Sequence, residues 1–285
     1  MNIFSKYLKV IRFENWMSHL FLKAILGAVI AGGTLPEIFL VGIIYFCVLG
    51  YGFLINDYYD VEIDRRHLGK MKKKQNTIAS GIISKRKAKA ILAFLAATPL
   101  LLSYYMSQIG SIIVLVGIIS FSAYSARGIR LKERFGLDIF SHGIMFSSYF
   151  LGGVLLITSE ISFGIALLAA IMFLWSQVSL IVHQLKDYEE DKKSSKHTII
   201  KIGLKKGWVL FMSHLLLMAL VTEAGIFFGL NPLLRLLSLF YIAYVIRYHN
   251  YSDFGNSVSR AKTADKIYWE TATVSILGTA LLISL

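Results

Sequence analysis

Three oxygen-bearing side chains recur at every fourth residue where a long apolar run ends. Asn56, Asp60 and Asp64 lie in the segment NDYYDVEID. A spacing of i, i+4 and i+8 puts them on one face of a helix, one turn apart. Like charges stacked in this way repel unless a cation lies between them, and oxygen ligands without His or Cys suit Mg²⁺ rather than zinc. The segment therefore predicts a site for Mg²⁺.

A second acidic segment repeats this spacing after another apolar run. Asp187 and Asp191 stand four residues apart in the sequence HQLKDYEED. Solvated helix ends would carry similar acids, but both segments continue the phase of an apolar run and both are followed by basic residues. Carboxylates this close to hydrocarbon are costly and usually functional. Two such faces meeting across a cavity could hold two Mg²⁺ ions with a diphosphate bridging them.

Basic side chains near the acidic segments fit a ligand rich in phosphate. Arg130 or Lys132, between two later apolar runs, could neutralise a diphosphate leaving group. Arg12 and Asn15, at the mouth of the first apolar run, could do likewise. Contact with lipid headgroups is the competing interpretation for each of them.

These residues belong to a chain with too few polar residues to cover a surface in water. Of its 285 residues, 56% are hydrophobic and 16% are charged, against roughly 25% charged in soluble domains. Apolar runs of about 20 residues, the length that crosses a bilayer, recur along the chain. The sequence therefore predicts an all-α, polytopic membrane protein and excludes soluble, disordered and fibrous classes. The single cysteine, Cys47, excludes an intrachain disulfide.

The apolar runs predict nine membrane-spanning helices. They cover roughly residues 16–34, 37–56, 88–106, 109–126, 138–157, 161–184, 207–229, 232–248 and 267–285. The two longest polar stretches, about 57–87 and 185–206, contain the acidic segments and are expected to cap the same side of the bundle. Neither is long enough to fold alone, so we expect a single domain over residues 1–285.

Positive charge is distributed asymmetrically among the predicted loops. All of the 30 Lys and Arg residues except Lys23 and Arg235 precede the first span or lie in or beside alternate loops. Because cytoplasmic loops carry the excess of Lys and Arg, we expect a cell-membrane protein whose amino terminus and acidic segments are cytoplasmic. After nine crossings the carboxyl terminus is expected outside. The net charge of +13 is assigned to loops that face anionic lipid, not to nucleic-acid binding.

Taken together, these segments resemble the motifs of the UbiA family of intramembrane prenyltransferases. NDYYDVEID matches the family's NDxxDxxxD, and DYEED resembles its DxxxD. Further counterparts are the segments at 78–81, 124–125, 130–132 and 192–203. Asn76-Thr77 departs from the pattern, because the family usually has Arg-Pro there.

This resemblance implies nine helices around a central cavity that opens to the cytoplasmic side and laterally to lipid. It also implies Mg²⁺-dependent transfer of a prenyl group from a polyprenyl diphosphate to a lipophilic acceptor, such as a quinone precursor or an ether-lipid glyceryl phosphate. Besides these two substrates and the bilayer, no obligatory protein partner is implied.

Residue roles follow from the same resemblance, residue by residue. Two Mg²⁺ ions are expected on Asn56, Asp60, Asp64, Asp187 and Asp191. The four aspartates and Lys132 are the candidate catalytic residues. Candidates for binding the substrate or its diphosphate are Asn15, Asn56, Asp57, Arg66, Lys74, Tyr124, Arg130 and Tyr188.

Two other functions stay open from the residues alone. A cation-coupled transporter would also keep carboxylates in the membrane, although transporters often show internal repeats with interrupted helices at the midplane. Phosphoribosyl transfer to a polyprenyl phosphate belongs to the same superfamily and also uses Mg²⁺.

Overall fold

The computed structural model describes residues 3–15, 20–66, 71–72, 74–192, 195–249, 259, 262–267 and 269–270. In this part of the chain there are helices and no strands, which confirms the predicted all-α class. The helices are α1 (Ile3–Val10), α2 (Leu20–Ile30), α3 (Leu35–Arg66), α4 (Lys85–Met106), α5 (Gln108–Ser125), α6 (Leu137–Leu155), α7 (Phe163–Lys186), α8 (Tyr188–Asp191), α9 (Thr198–Phe227) and α10 (Arg235–Tyr248).

Among the described residues, five helices are long and apolar enough to cross a membrane, namely α3, α4, α5, α7 and α9. Helices α4 and α5 also expose large apolar side chains, including Phe94, Leu101, Ile112 and Ile119. Water would penalise such a surface, whereas lipid is as apolar as these side chains. The apolar surfaces of these helices are therefore suited to contact with lipid.

Eight of the nine predicted spans coincide with a helix, and two boundaries differ from the prediction by nearly ten residues or more. Helix α3 continues through Arg66 instead of ending near residue 56, and α9 begins at Thr198 instead of near residue 207. The extension of α3 keeps its acidic residues in helical phase and ends on Arg65 and Arg66, whose charges complement the carboxyl-terminal end of the helix dipole. The ninth predicted span, 267–285, lies almost wholly outside the described residues, so the count of nine stays a prediction.

The chain divides into two compact units. Unit 1 comprises Met1–Leu131 with Ser148–Ile161, and unit 2 comprises Lys132–Ser147 with Ser162–Leu285.

Within unit 1, α2 packs backbone to backbone against the second half of α6. A Cβ atom on Gly153 would lie 2.1 Å from the Ala24 carbonyl oxygen, and one on Gly27 would lie 2.2 Å from the Phe150 carbonyl oxygen. Small residues allow this close approach of membrane helices. The glycines of α6 therefore serve helix packing.

In unit 2, α7 and α9 form the core. Val178 and Ile181 of α7 and Phe211 and Leu215 of α9 are fully buried. Helix α9 contains a break at Gly203, whose φ of 81° favours glycine. The break separates the first turn and a half, next to the second acidic segment, from the long apolar part of α9.

Candidate functional site

The first acidic segment lies on the last turns of α3. Because α3 continues through Arg66, Asn56, Asp60 and Asp64 occupy successive turns of one helical face. Asp60 is 7% exposed and Asp64 is 1% exposed. Carboxylates at a helix end are normally solvated, so their burial here requires partners for both.

Asn56 is held by the last residue of α5, and Asp60 is held by the segment that follows α5. The Arg130 guanidinium lies 3.1 Å from Asp60 Oδ1, and Ser125 Oγ donates to Asn56 Oδ1 over 3.1 Å. Arg130 reaches Asp60 from a left-handed backbone conformation, with a φ of 43°. Non-glycine residues rarely adopt that conformation, and such strain concentrates at functional sites.

Asn76 holds Asp64 in a different way. Its Nδ2 donates to Asp64 Oδ2 over 2.9 Å and to the Asp57 carbonyl oxygen over 2.8 Å. Its Oδ1 accepts from the backbone N–H groups of Ile78 and Ala79, both over 3.0 Å. Where the family usually has an arginine, this chain thus has a buried amide that binds a motif carboxylate without adding positive charge.

Asp57 forms a separate ion pair. It is fully buried, and Arg12 approaches it with two nitrogens, at 2.5 Å from Oδ1 and 3.2 Å from Oδ2. Arg12 also has a positive φ, of 52°. In this structure Arg12 is engaged with a carboxylate of α3, so its sequence-based assignment to a leaving group stays a prediction.

The second acidic segment follows a break between α7 and α8. Asp187, with φ −92° and ψ 7°, lies outside the helical conformation and ends α7. A new helical turn begins at once, because the Asp191 N–H donates to the Asp187 carbonyl oxygen over 2.8 Å. Asp191 Oδ2 contacts His197 Nε2 at 3.1 Å. Desolvation by the surrounding chain, followed by repulsion from Asp191, raises the pKa of the Asp187 carboxyl. Two carboxylates therefore share one turn in unit 2.

Sequence reasoning missed a buried acid of unit 2. Asp138 lies in the first turn of α6 and is fully buried. Its carboxylate accepts from Gln184 Nε2 over 2.8 Å and from Thr198 N over 2.7 Å. An acidic residue at the start of an apolar run was the signal that could have revealed it.

Residues 20–271 of the chain match the UbiA prenyltransferase family. The chain belongs to this family. The resemblance carried by the acidic motifs is thereby confirmed, and this UbiA protein is a membrane-embedded prenyltransferase.

Known UbiA proteins resemble the chain over most of its length. Digeranylgeranylglyceryl phosphate synthase of Saccharolobus solfataricus is 27% identical over 266 residues, covering 92% of each protein. The synthase of the same name from Methanosphaera stadtmanae is 29% identical over 241 residues, covering 84% of the chain and 81% of the relative. A UbiA homologue from Archaeoglobus fulgidus, bound to DMAPP and Mg²⁺, has a TM-score of 0.78 at 20% identity, over 98% of this chain and 99% of that one. This last likeness shows that the UbiA fold is shared.

The remaining predicted site residues of this UbiA protein have diverse surroundings. Lys132 is half-buried in the helical turn Leu131–Glu133, and Tyr124 and Tyr188 are half-buried in α5 and α8. Arg66 and Lys74 are exposed. The side chain of Asn15 lies outside the described residues. The roles of all six stay predictions.

The acidic motif residues carry the hard oxygen donors that Mg²⁺ requires. Within the residues that the structure describes, no three His, Cys, Asp or Glu side chains gather into a metal cluster. The α3 face offers one amide oxygen and two carboxylates, already arranged on successive turns and turned toward Ser125, Arg130 and Asn76. Oxygen donors of this kind fit Mg²⁺.

Proposed function

We propose that this UbiA protein transfers a prenyl group from a polyprenyl diphosphate to a glyceryl phosphate ether lipid, with Mg²⁺ and with release of diphosphate. The observation that carries the proposal is the α3 face, on which Asn56, Asp60 and Asp64 are held by Ser125, Arg130 and Asn76. The acceptor class is supported by the relatives named digeranylgeranylglyceryl phosphate synthase.

The ligands for Mg²⁺ would be Asn56, Asp60, Asp64, Asp187 and Asp191. Bound there, two ions would neutralise the diphosphate and make it a better leaving group. Because Asn56, Asp60, Asp64 and Asp191 are pre-positioned by their neighbours, little reorganisation of these side chains is needed when the charged donor arrives.

Arg130 is suited to bind the departing diphosphate. Its guanidinium is already beside Asp60, and a planar guanidinium donates well to two phosphate oxygens. With Asp60 shared between Arg130 and a bound cation, the attraction of Asp60 for Arg130 would weaken and the Arg130 guanidinium could donate to the diphosphate. Lys132, two residues further on, and the exposed Arg66 and Lys74 would add positive charge.

Burial of Asp60 and Asp64 on α3 serves the chemistry as well. Breaking the C–O bond of an allylic diphosphate leaves a carbocation that water would quench, so the reaction needs a site that excludes water. Asp60 and Asp64 are nearly inaccessible to solvent. The rings of Tyr124 and Tyr188 are candidates to stabilise the cation through their faces.

The experiment is a prenyl-transfer assay on the purified protein in lipid vesicles. Radiolabelled geranylgeranyl diphosphate is supplied with Mg²⁺ and a glyceryl phosphate that carries one prenyl ether, and both diphosphate release and a doubly prenylated product are measured. We expect both to appear and to be lost on chelation of Mg²⁺. Absence of diphosphate release with any prenyl diphosphate would contradict the proposed reaction, and release that requires an aromatic acceptor instead would contradict the proposed acceptor.

Matched variants test the metal ligands in the same assay. Asp60→Ala and Asp191→Ala are expected to abolish turnover while the proteins remain folded. Glu62→Ala and Glu189→Ala are the controls, because both glutamates are exposed neighbours outside the predicted ligand set. Wild-type rates for both aspartate variants would refute the assignment.

A further inference from the structure

Asp138 is the centre of a hydrogen-bonded cluster within unit 2 that the proposed chemistry does not use. Its carboxylate accepts from the side chain of Gln184 and from both the backbone N–H and the hydroxyl of Thr198. Those two residues are fixed in turn. The Ile199 N–H donates to Gln184 Oε1 over 3.4 Å, and the Gly136 N–H donates to Thr198 Oγ1 over 2.7 Å.

The cluster requires a group that only accepts hydrogen bonds. All the donors that converge on Asp138 are neutral, and the side chain is fully buried, so the three hydrogen bonds and the amino-terminal end of α6 must offset the cost of burying its charge. An asparagine would offer one acceptor oxygen and turn an NH₂ group toward other donors. The site is therefore specific for a carboxylate.

The two residues that Asp138 holds bracket the second acidic segment. Gln184 lies three residues before Asp187 at the end of α7, and Thr198 begins α9. His197, the residue before Thr198, contacts Asp191. Asp138 thus ties together the two ends of the segment that carries Asp187 and Asp191.

We propose that Asp138 is a positioning residue for the second acidic segment, because it fixes the ends of that segment through Gln184 and Thr198. The role of this segment in binding Mg²⁺ rests on the proposed function. A partner that hydrogen-bonds a metal ligand directly typically affects metal affinity by about 10- to 100-fold, and Asp138 acts one step further away, so we expect an effect at the lower end of this range. We expect Asp138→Asn to raise the Mg²⁺ concentration for half-maximal rate within that range, with a smaller effect on the rate at saturating Mg²⁺.

Variants of Thr198 keep the test independent of whether the Asp138 variant folds. Thr198→Ser retains the hydroxyl and is expected to keep the wild-type Mg²⁺ requirement. Thr198→Val has a similar shape but removes the hydroxyl, and is expected to shift the Mg²⁺ requirement in the same direction as Asp138→Asn. Equal Mg²⁺ requirements in Thr198→Val, Asp138→Asn and the wild type would overturn the proposal.

Limited proteolysis supplies a readout that does not depend on activity. Lys192 and Lys196 are exposed trypsin sites inside the bracketed segment, and Lys85 is an exposed site at the start of α4 in unit 1. We expect Asp138→Asn to accelerate cleavage at Lys192 and Lys196 and to leave cleavage at Lys85 unchanged. Equal acceleration at Lys85 would show a general folding defect and would overturn the positioning role. An inactive wild-type protein would refute the proposed function. Faster cleavage at Lys192 and Lys196 alone would still support the proposal that Asp138 holds the ends of this segment.

Discussion

At the scale of single residues, the acids at the end of α3 are distinguished by their partners. Asp57 pairs with Arg12, Asp60 with Arg130, and Asp64 with the Asn76 amide. A guanidinium neutralises its carboxylate, while an amide orients the carboxylate and leaves its charge intact. The Asn76 amide therefore fixes the orientation of the Asp64 carboxylate without adding a positive charge beside it.

The ion pair of Arg12 and Asp57 differs from that of Arg130 and Asp60, because Asp57 is fully buried. Removing one partner of a buried ion pair leaves an uncompensated charge and costs about 3–5 kcal/mol. We expect Arg12→Ala to lower the free energy of unfolding by that amount, measured by thermal unfolding in detergent. Lys6→Ala, on α1 and outside any ion pair that the described residues show, is the control. An unchanged melting temperature for Arg12→Ala would contradict a stabilising role for the pair.

At the scale of elements, the helices position the site by where they end. Helix α3 extends past the apolar run because its last turns find partners after α5 and at Asn76. Helix α7 instead ends at Lys186. Asp187 caps both the end of α7 and the start of the short helix α8. One acidic segment thus lies on a continuous helix, and the other lies on a short turn that is tied down at both ends.

The contact between α2 and α6 depends on glycine. A Cβ on Gly153 would lie 2.1 Å from the Ala24 carbonyl oxygen, and backbone cannot move aside as a side chain can. We therefore expect Gly153→Ala to force α2 away from α6 and to cost about 1–3 kcal/mol of stability.

Gly117→Ala is the matched control for this prediction. Gly117 is a buried helical glycine of α5, but a Cβ there would meet its nearest neighbour, Ser148 Oγ, at 3.6 Å, an ordinary contact. Thermal unfolding of both variants measures the difference. Equal melting temperatures for the two alanine variants would show that stability does not depend on the close contact between α2 and α6.

At the scale of the whole molecule, family membership and apolar helices establish a membrane enzyme. The first acidic segment belongs to unit 1 and the second to unit 2. The orientation in the membrane stays a prediction from the loop charges. It places the loop that contains Lys85 and the loop that contains Glu160 on opposite sides of the membrane.

Cysteine labelling tests that orientation. Lys85 and Glu160 are both exposed, and replacing the buried Cys47 with alanine gives a background without thiols. In intact cells, a membrane-impermeant maleimide is expected to label Glu160→Cys but not Lys85→Cys, which should be labelled only after permeabilisation. The reverse pattern would place the acidic segments outside the cell.

The sequence alone determined the all-α membrane class, the positions of eight helices and the two acidic segments. These features are local, since apolar run length and four-residue spacing are set by neighbours along the chain. The tertiary structure decided which partner each acid has. Arg12 is 45 residues from Asp57, Arg130 is 70 residues from Asp60, and Thr198 is 60 residues from Asp138. Such pairings arise only when helices distant in sequence pack together, because a buried carboxylate must then take its hydrogen bonds from whatever donors the packing brings to it.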